Sequence, residues 1–443
     1  MRRLILAVLA LQMMFTGVAC GKAVEEDRER VIASSVVDES DKIDESDKID
    51  ESDKIDESDK IDESDKIDES DKIDESNRIE DLPFKIFKNS YDNYDDNRNI
   101  MISPLSIEVS LAMLYNGASG DTKQLITDTL GFDEDIDSLN KRFKVSSNSV
   151  LGIANGLWVN EDKDVKKSYI NTLKKLYKAE CKSEKFGNST VNEINNFVSK
   201  NTYGMIDNML DSDSLDPNND YCVLINCVAF NDKWKDKFKA SYIKDDESFY
   251  NIEGKSDSCT LMYDKYKNEN YLESEDIKAT GFVKQYKSGY KFIAMLPFDD
   301  GIDEINYTLN NLNRDTYDNF LCPVEGDYEL TIALPELKFN NTIDMNKVLK
   351  SMGLSGLLSN ADYSNVSDDV NLDRIDMLHK AVIELNANGT KAAAATSIIY
   401  ENGMVGDHTK HKEYSVILNR PFIFVIADKS NDPIFIGVVR GIQ

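Results

Sequence analysis

Residues 384–396 read Glu-Leu-Asn-Ala-Asn-Gly-Thr-Lys-Ala-Ala-Ala-Ala-Thr, directly after the apolar run Ala381-Val382-Ile383. A second apolar block, Pro421-Phe422-Ile423-Phe424-Val425-Ile426-Ala427, begins about 25 residues later. Exposed loops ordinarily use Gly, Pro, Asn and Asp to set turns. This one opens with residues small enough to slip between packed strands. Side chains along a strand alternate between faces. Counted from Thr390, one face carries Thr390, Ala392, Ala394, Thr396, Ile398 and Tyr400. With that face toward a core, the first four fit a parting sheet without overpacking, where a large or charged residue would cost a few kcal/mol. Gly389 leaves the backbone free to turn. Taken alone, an Ala-rich run also suits a helix, because Ala is the best helix former.

The chain has 443 residues, 41% of them hydrophobic, which is enough for a large core. Its formal net charge of −29 is unevenly spread. Residues 38–73 are six copies of Asp-Glu-Ser-Asp-Lys-Ile, each carrying −2, so that the block holds −12, and a degenerate copy at 74–79 adds −1. One Ile per six residues cannot offset the ordering entropy, so residues 20–79 read as an expanded acidic tether. Six helical steps rotate the Ile by about 240°, which gives no helix stripe. As an extended strand every Ile would share a face. Fully stretched, the 42 repeat residues reach about 140–150 Å. No basic stripe with interleaved aromatics points to nucleic acid.

The first nineteen residues read as a signal peptide: Arg2-Arg3, the apolar stretch Leu4–Phe15, then Thr16-Gly17-Val18-Ala19 before Cys20. This resembles a bacterial lipoprotein signal, with Cys20 as the lipidated N-terminus of an extracellular, membrane-anchored protein. Gly17 stands where such signals usually have Leu, and plain secretion after Ala19 is the alternative. Among the later cysteines, Cys181, Cys222, Cys227, Cys259 and Cys322, no pair has metal-ligand spacing. Cys222 and Cys227 are five apart in one expected strand and so face opposite ways. Buried free thiols are expected. Asp407, His408 and His411 do not make a metal site, and no cofactor is implied.

From Asn77 onward the chain changes texture. Phe84, Phe87 and Tyr91 recur at helical spacing, and Ser103-Pro104 starts a helix with Leu111, Met113 and Leu114 on its apolar side. A further amphipathic helix is expected within Val191–Leu210. Strands are expected over 221–230, 290–296, 329–334, 381–385, 415–418, 422–427 and 434–439. Helices early and strands late, with long separations between partners, give an α+β domain over residues 80–443.

Several segments carry a family resemblance. They are Asn99-Ile-Met-Ile-Ser-Pro-Leu-Ser-Ile107, Leu111–Ala118, Ala154-Asn-Gly-Leu-Trp-Val159 and Ile194-Asn-Asn-Phe-Val198 with Thr202 and Gly204. Leu224–Phe230 with Lys233-Trp234, Leu334-Pro-Glu-Leu-Lys-Phe339, Asn419-Arg-Pro-Phe422 and Phe435–Arg440 continue it. In order and spacing the chain resembles the serpin family. The resemblance implies helices around a large central sheet with smaller sheets and an exposed reactive-centre loop. It implies no catalysis. It implies a monomeric suicide-substrate inhibitor of serine proteases, trapping the acyl-enzyme when the cut loop inserts into the sheet. Residues 389–396 become the hinge: Gly389, Thr390, Ala392, Ala393, Ala394, Ala395 and Thr396. Ser103, Ser106, Asn226 and His379 match residues beneath the sheet centre, and Trp234 matches one at the insertion end.

Fifteen positions after Gly389 the family's counting places the cleaved bond between Gly403 and Met404. A simple turn at Asn402-Gly403 is the other reading of that pair, and cleavage after Tyr400, Asn402 or Met404 stays open. No Lys or Arg lies between Lys391 and Lys410, which disfavours a trypsin-like target and suits an elastase-like or subtilisin-like one. The chain departs from the family pattern at Ala387 and Lys391, where Glu is usual, and in a longer segment before Asn419. The alternative is a non-inhibitory member acting as a binding or surface-display module. Small residues at 390–396 argue against it.

Overall fold

The computed structural model describes residues 81–94, 99–130, 150–218, 220–343, 345–369, 375–390 and 412–442. In chain order the main elements are α1 (Leu82–Asp92), β1 (Ile100–Ile102), α2 (Pro104–Gly117), α3 (Gly120–Leu130), β2 (Leu151–Asn160), α4 (Lys167–Tyr177), β3 (Glu180–Glu184), α5 (Asn188–Asn201) and β4 (Cys222–Phe230). There follow β5 (Ile243–Tyr250), β6 (Ser256–Lys267), β7 (Tyr271–Ser274), β8 (Ala279–Gln285), β9 (Lys291–Pro297), α6 (Ile302–Asn311), α7 (Arg314–Phe320), β10 (Tyr328–Pro335), β11 (Leu337–Ile343) and α8 (Met345–Ser351). The last strands are β12 (Asp376–Asn386), β13 (Gly389–Thr390), β14 (Lys412–Ile417), β15 (Phe422–Ala427) and β16 (Pro433–Val439).

The strands form three sheets, ordered β1-β16-β15-β9-β8-β7, β14-β10-β6-β5, and β11-β12-β4-β2-β3 with β13 added to β12. The architecture is the expected α+β one. In the third sheet β12 and β4 are parallel neighbours, paired from Asp376 opposite Val223 to Val382 opposite Ala229. Their flanking partners β11 and β2 are antiparallel. Every residue of β4 is buried, as expected of a central strand covered on both faces. Cys222 and Cys227 belong to different hydrophobic clusters, which puts them on opposite faces of that sheet. Cys259 is buried too, but Cys181 and Cys322 are only half-buried, so burial of all five thiols does not hold.

Helix α2 starts where the Ser-Pro pair directs it. The Ser106 amide donates to Ser103 Oγ at 3.3 Å, and Pro104 occupies the first turn, where its missing donor costs nothing. One apolar side was the expectation; instead the helix is buried nearly all round, Ser106, Glu108 and Ser110 included. It packs against α1, α4, β4 and β16, so its polar residues lie inside the molecule. Helix α5 covers the outer face of the third sheet, with Val191, Ile194 and Val198 against Val223, Ile225 and Val382. The other face of β12 sends Ala381, Ile383 and Leu385 into a cluster shared with the two remaining sheets. Among the described residues no helix is long and apolar enough to cross a membrane.

Candidate functional site

The parallel pairing of β4 and β12 stops at Ala229 and Val382, yet β12 runs on to Asn386. Above that point the two chains diverge and leave a slot. The chain turns at Ala387 and Asn388, with the Asn388 amide donating to Asn386 Oδ1 at 2.9 Å, and comes back as β13. Thr390 lies opposite Leu385, and Gly389 opposite Asn386. On its other side Gly389 bridges Lys233, in the segment that continues β4. The two hinge residues therefore occupy the top rung between the two central strands, antiparallel to both.

Gly389 is needed there for two reasons. Its φ of +143° is one that L side chains rarely adopt, and an added Cβ would sit 2.3 Å from the Asp232 carbonyl oxygen and 2.5 Å from Lys233 Cα. The sequence pointed to the first reason; the close approach is visible only in the fold. Thr390 is fully buried. Its amide donates to the Asp232 carbonyl at 2.7 Å, and its Oγ1 lies 3.0 Å from the Tyr286 hydroxyl.

Trp234 grips the strand just before the hinge. Its indole N–H donates to the Asn386 carbonyl at 2.9 Å and its amide to the Asn388 carbonyl at 3.0 Å. The Phe238 amide donates to the Ala387 carbonyl at 3.2 Å, so three consecutive carbonyls are held by one short segment. The indole stacks on Tyr286 with ring centroids 4.3 Å apart.

Lower in the sheet a polar group sits between α2 and the β4–β12 pair. The Ser103 amide donates to His379 Nε2 at 3.5 Å, and Ser106 Oγ is 3.1 Å from Nδ1. An amide can only donate, so Nε2 is the acceptor and the neutral ring carries its proton on Nδ1, toward Ser106. Asn226 is the register neighbour of His379. Its amide nitrogen donates to Asn155 Oδ1, and Asn155 in turn donates to the Tyr177 carbonyl at 2.8 Å. Asn226 Oδ1 is buried without a hydrogen-bond partner among the described residues. A buried acceptor left open at the seam of two strands is costly, of order 1–3 kcal/mol.

Burial pulls the His379 imidazole down to about 4. A depressed native value means that the unfolded chain takes the proton first. The contribution of neutral His379 is therefore complete above the ordinary imidazole value near 6.5 and is lost as pH falls toward about 4. A shift of this size is worth about 3 kcal/mol. Chemical unfolding of the wild type and His379→Gln, each followed from about pH 7 to about pH 4, should show the wild type losing more stability by roughly that amount. Parallel curves would contradict the assignment.

Ser103, Ser106, Asn226 and His379 are thus brought into one group, and Trp234, Gly389 and Thr390 into another at the top of the same strand pair. Ala392, Ala393, Ala394, Ala395, Thr396, Gly403, Met404, Cys20 and the residues around His408 lie outside the described residues. Among the described residues no cluster of His, Cys, Asp and Glu could hold a metal ion. Asn155, Asp232 and Tyr286 were not singled out by sequence reasoning. Asn155 carried a signal, a polar side chain in the middle of a mostly apolar strand. Tyr286 carried none, since its role depends on meeting Thr390 104 residues away.

Comparison with known proteins bears on the fold and the family. An "Uncharacterized serpin-like protein" of Methanosarcina mazei is 28% identical over 361 residues, spanning 78% of this chain and 82% of its own. The human "Plasma serine protease inhibitor" is 27% identical over 358 residues, covering 78% and 84%. The crystal structure of Tengpin, a thermophilic serpin in its native state, matches with a TM-score of 0.71 at 33% identity, over 82% of this chain and 93% of that one. A thyroxine-binding globulin bound to thyroxine shares the fold at TM-score 0.71 and 24% identity, over 83% and 98%. The profile described as "Serpin (serine protease inhibitor)" matches residues 77–441, and the chain belongs to the serpin family.

Proposed function

We propose that the protein is an irreversible suicide-substrate inhibitor of serine proteases. The observation that carries this reading is the placement of Gly389 and Thr390, already one rung into the slot between β12 and the continuation of β4. Continuing their register downward sets Ala392 opposite Ile383, Ala394 opposite Ala381, Thr396 opposite His379 and Ile398 opposite Met377. The same residues of β12 are buried, so the inserted face is the small-residue face read from the sequence. The register from Lys233 on the β4 side brings Thr396 opposite Asn226 as well. A threonine hydroxyl arriving there could donate to the unpaired Asn226 Oδ1, which gives that open acceptor a reason.

In this mechanism the protease serine attacks the Gly403 carbonyl carbon, the Met404 amine leaves, and Gly403 remains esterified to the protease. The freed loop then inserts, replacing one parallel pairing by two antiparallel ones, which are slightly more stable per residue. About fourteen residues at about 3.3 Å each span nearly 46 Å, enough to carry the protease across the domain before water completes the reaction. The chain supplies the bond to be cut, and the chemistry is the protease's. A target accepting small or apolar residues, elastase-like or subtilisin-like, fits Gly403. In this reading the inhibitor is an exported monomer on an acidic tether; the Arg2-Arg3 start, the apolar stretch before Cys20 and the repeats at 38–79 support export, lipid anchoring and the tether.

The same fold binds thyroxine in thyroxine-binding globulin, so the hinge, not the fold, supports inhibition. Incubation with a panel of serine proteases tests the reading. A covalent, denaturant-resistant complex is expected, with release of a distal peptide beginning at Met404. Cutting of the loop with every protease left free and active would refute it.

A further inference from the structure

We propose that Lys284, together with Asp264, is a positioning residue for the hinge, holding Trp234 and Phe238 in place to grip the 386–388 carbonyls before the loop is cut. Lys284 lies in β8 opposite Phe292 of β9, and its side chain is only 2% exposed. Its Nζ is 2.9 Å from Asp264 Oδ2 and 2.9 Å from the Tyr266 hydroxyl, and that hydroxyl donates to the same carboxylate at 3.0 Å. The ammonium also lies 4.2 Å from the centre of the Phe238 ring and 5.8 Å from that of Trp234. A buried ion pair of this kind is weak support for stability, and apolar residues of similar volume often do as well or better. Its value here is geometric. The cation attracts the faces of two rings whose backbone and indole donors bind three successive carbonyls, and cation–π attraction strengthens where water is excluded. Among the described residues neither side chain of the pair hydrogen-bonds to residues 386–390, so the pair acts through the two rings.

The double variant Lys284→Met/Asp264→Asn removes both charges without stranding either in the interior, and Asp264→Asn alone is the milder check on folding. Hydrogen exchange in the intact full-length protein reads the grip directly. The amides of Trp234, Phe238 and Thr390 should exchange roughly tenfold faster in the double variant, with a smaller rise in Asp264→Asn. Amides of β15 and β16 should be unchanged. No change at the three amides, or an equal acceleration in β15 and β16, overturns the proposal. The second arm rests on the inhibitory reading. With a protease trapped by the wild type, the double variant should release several-fold more cut, free inhibitor per covalent complex, because a loosened hinge begins insertion later. An unchanged ratio overturns the proposal. If the wild type traps no protease in the panel, inhibition is refuted while the exchange arm still decides whether Lys284 positions the hinge.

Discussion

Replacing Thr390 by Arg is expected to abolish covalent trapping while leaving the loop open to cutting. Thr390 is fully buried, hydrogen-bonded through Oγ1 to Tyr286 and through its amide to Asp232. A guanidinium cannot enter that position without being desolvated beside Trp234 and Tyr286, at a cost of a few kcal/mol. Insertion competes with hydrolysis of the acyl-enzyme. A barrier raised by about 3 kcal/mol slows insertion roughly 100-fold, which hands the outcome to hydrolysis. A protease that forms a denaturant-resistant complex with the wild type should cut the variant between the same residues and emerge active. The measurement is the ratio of complex to cut inhibitor on a denaturing gel, with Thr390→Ser as the control that keeps the hydroxyl. Undiminished complex from Thr390→Arg would show that residue 390 does not pass into the sheet.

The second large effect is on heat resistance. A molecule nicked in the 391–411 segment by a protease it does not trap should unfold at a higher temperature than the intact one. Insertion of about fourteen residues adds on the order of 20 ladder hydrogen bonds at roughly 0.5–1.5 kcal/mol each. Ordering the same residues opposes this by about 1–2 kcal/mol per residue. The sums nearly cancel, so burial of the small apolar face decides the sign. Ile383, Ala381 and Met377 lie on that face of β12 and are buried in the described structure. A net gain of only about 5 kcal/mol would raise Tm by roughly 10–20 °C in a domain of 150–250 residues, and somewhat less in one larger than that. Calorimetry of intact and nicked protein side by side gives the answer, and equal unfolding temperatures would remove the basis of the trap.

Much of the site was legible before the fold. The two-residue period of a strand is a local rule, so the face carrying Thr390, Ala392, Ala394 and Thr396 could be read from spacing alone. Of that face the structure describes Thr390, which is buried opposite Leu385. The start of α2 at Ser103-Pro104 was readable for the same reason, since a cap involves only neighbours along the chain. His379, Asn226 and Trp234 were found only through their resemblance to a family pattern. Nothing in their own spacing joins a histidine to serines more than 270 residues earlier.

Residue types and their spacing carry the chemistry of each segment: which residues are small enough to enter a sheet, where a helix begins, which stretch is too polar to form a core. Which segments meet is settled by packing. It set Gly389 against the Asp232–Lys233 backbone, Thr390 against Tyr286, and the buried Lys284 beneath Trp234 and Phe238. Those contacts join strands from distant parts of the chain. Their partners are chosen by the packing of whole sheets, a sum over many weak interactions that no short window of sequence contains.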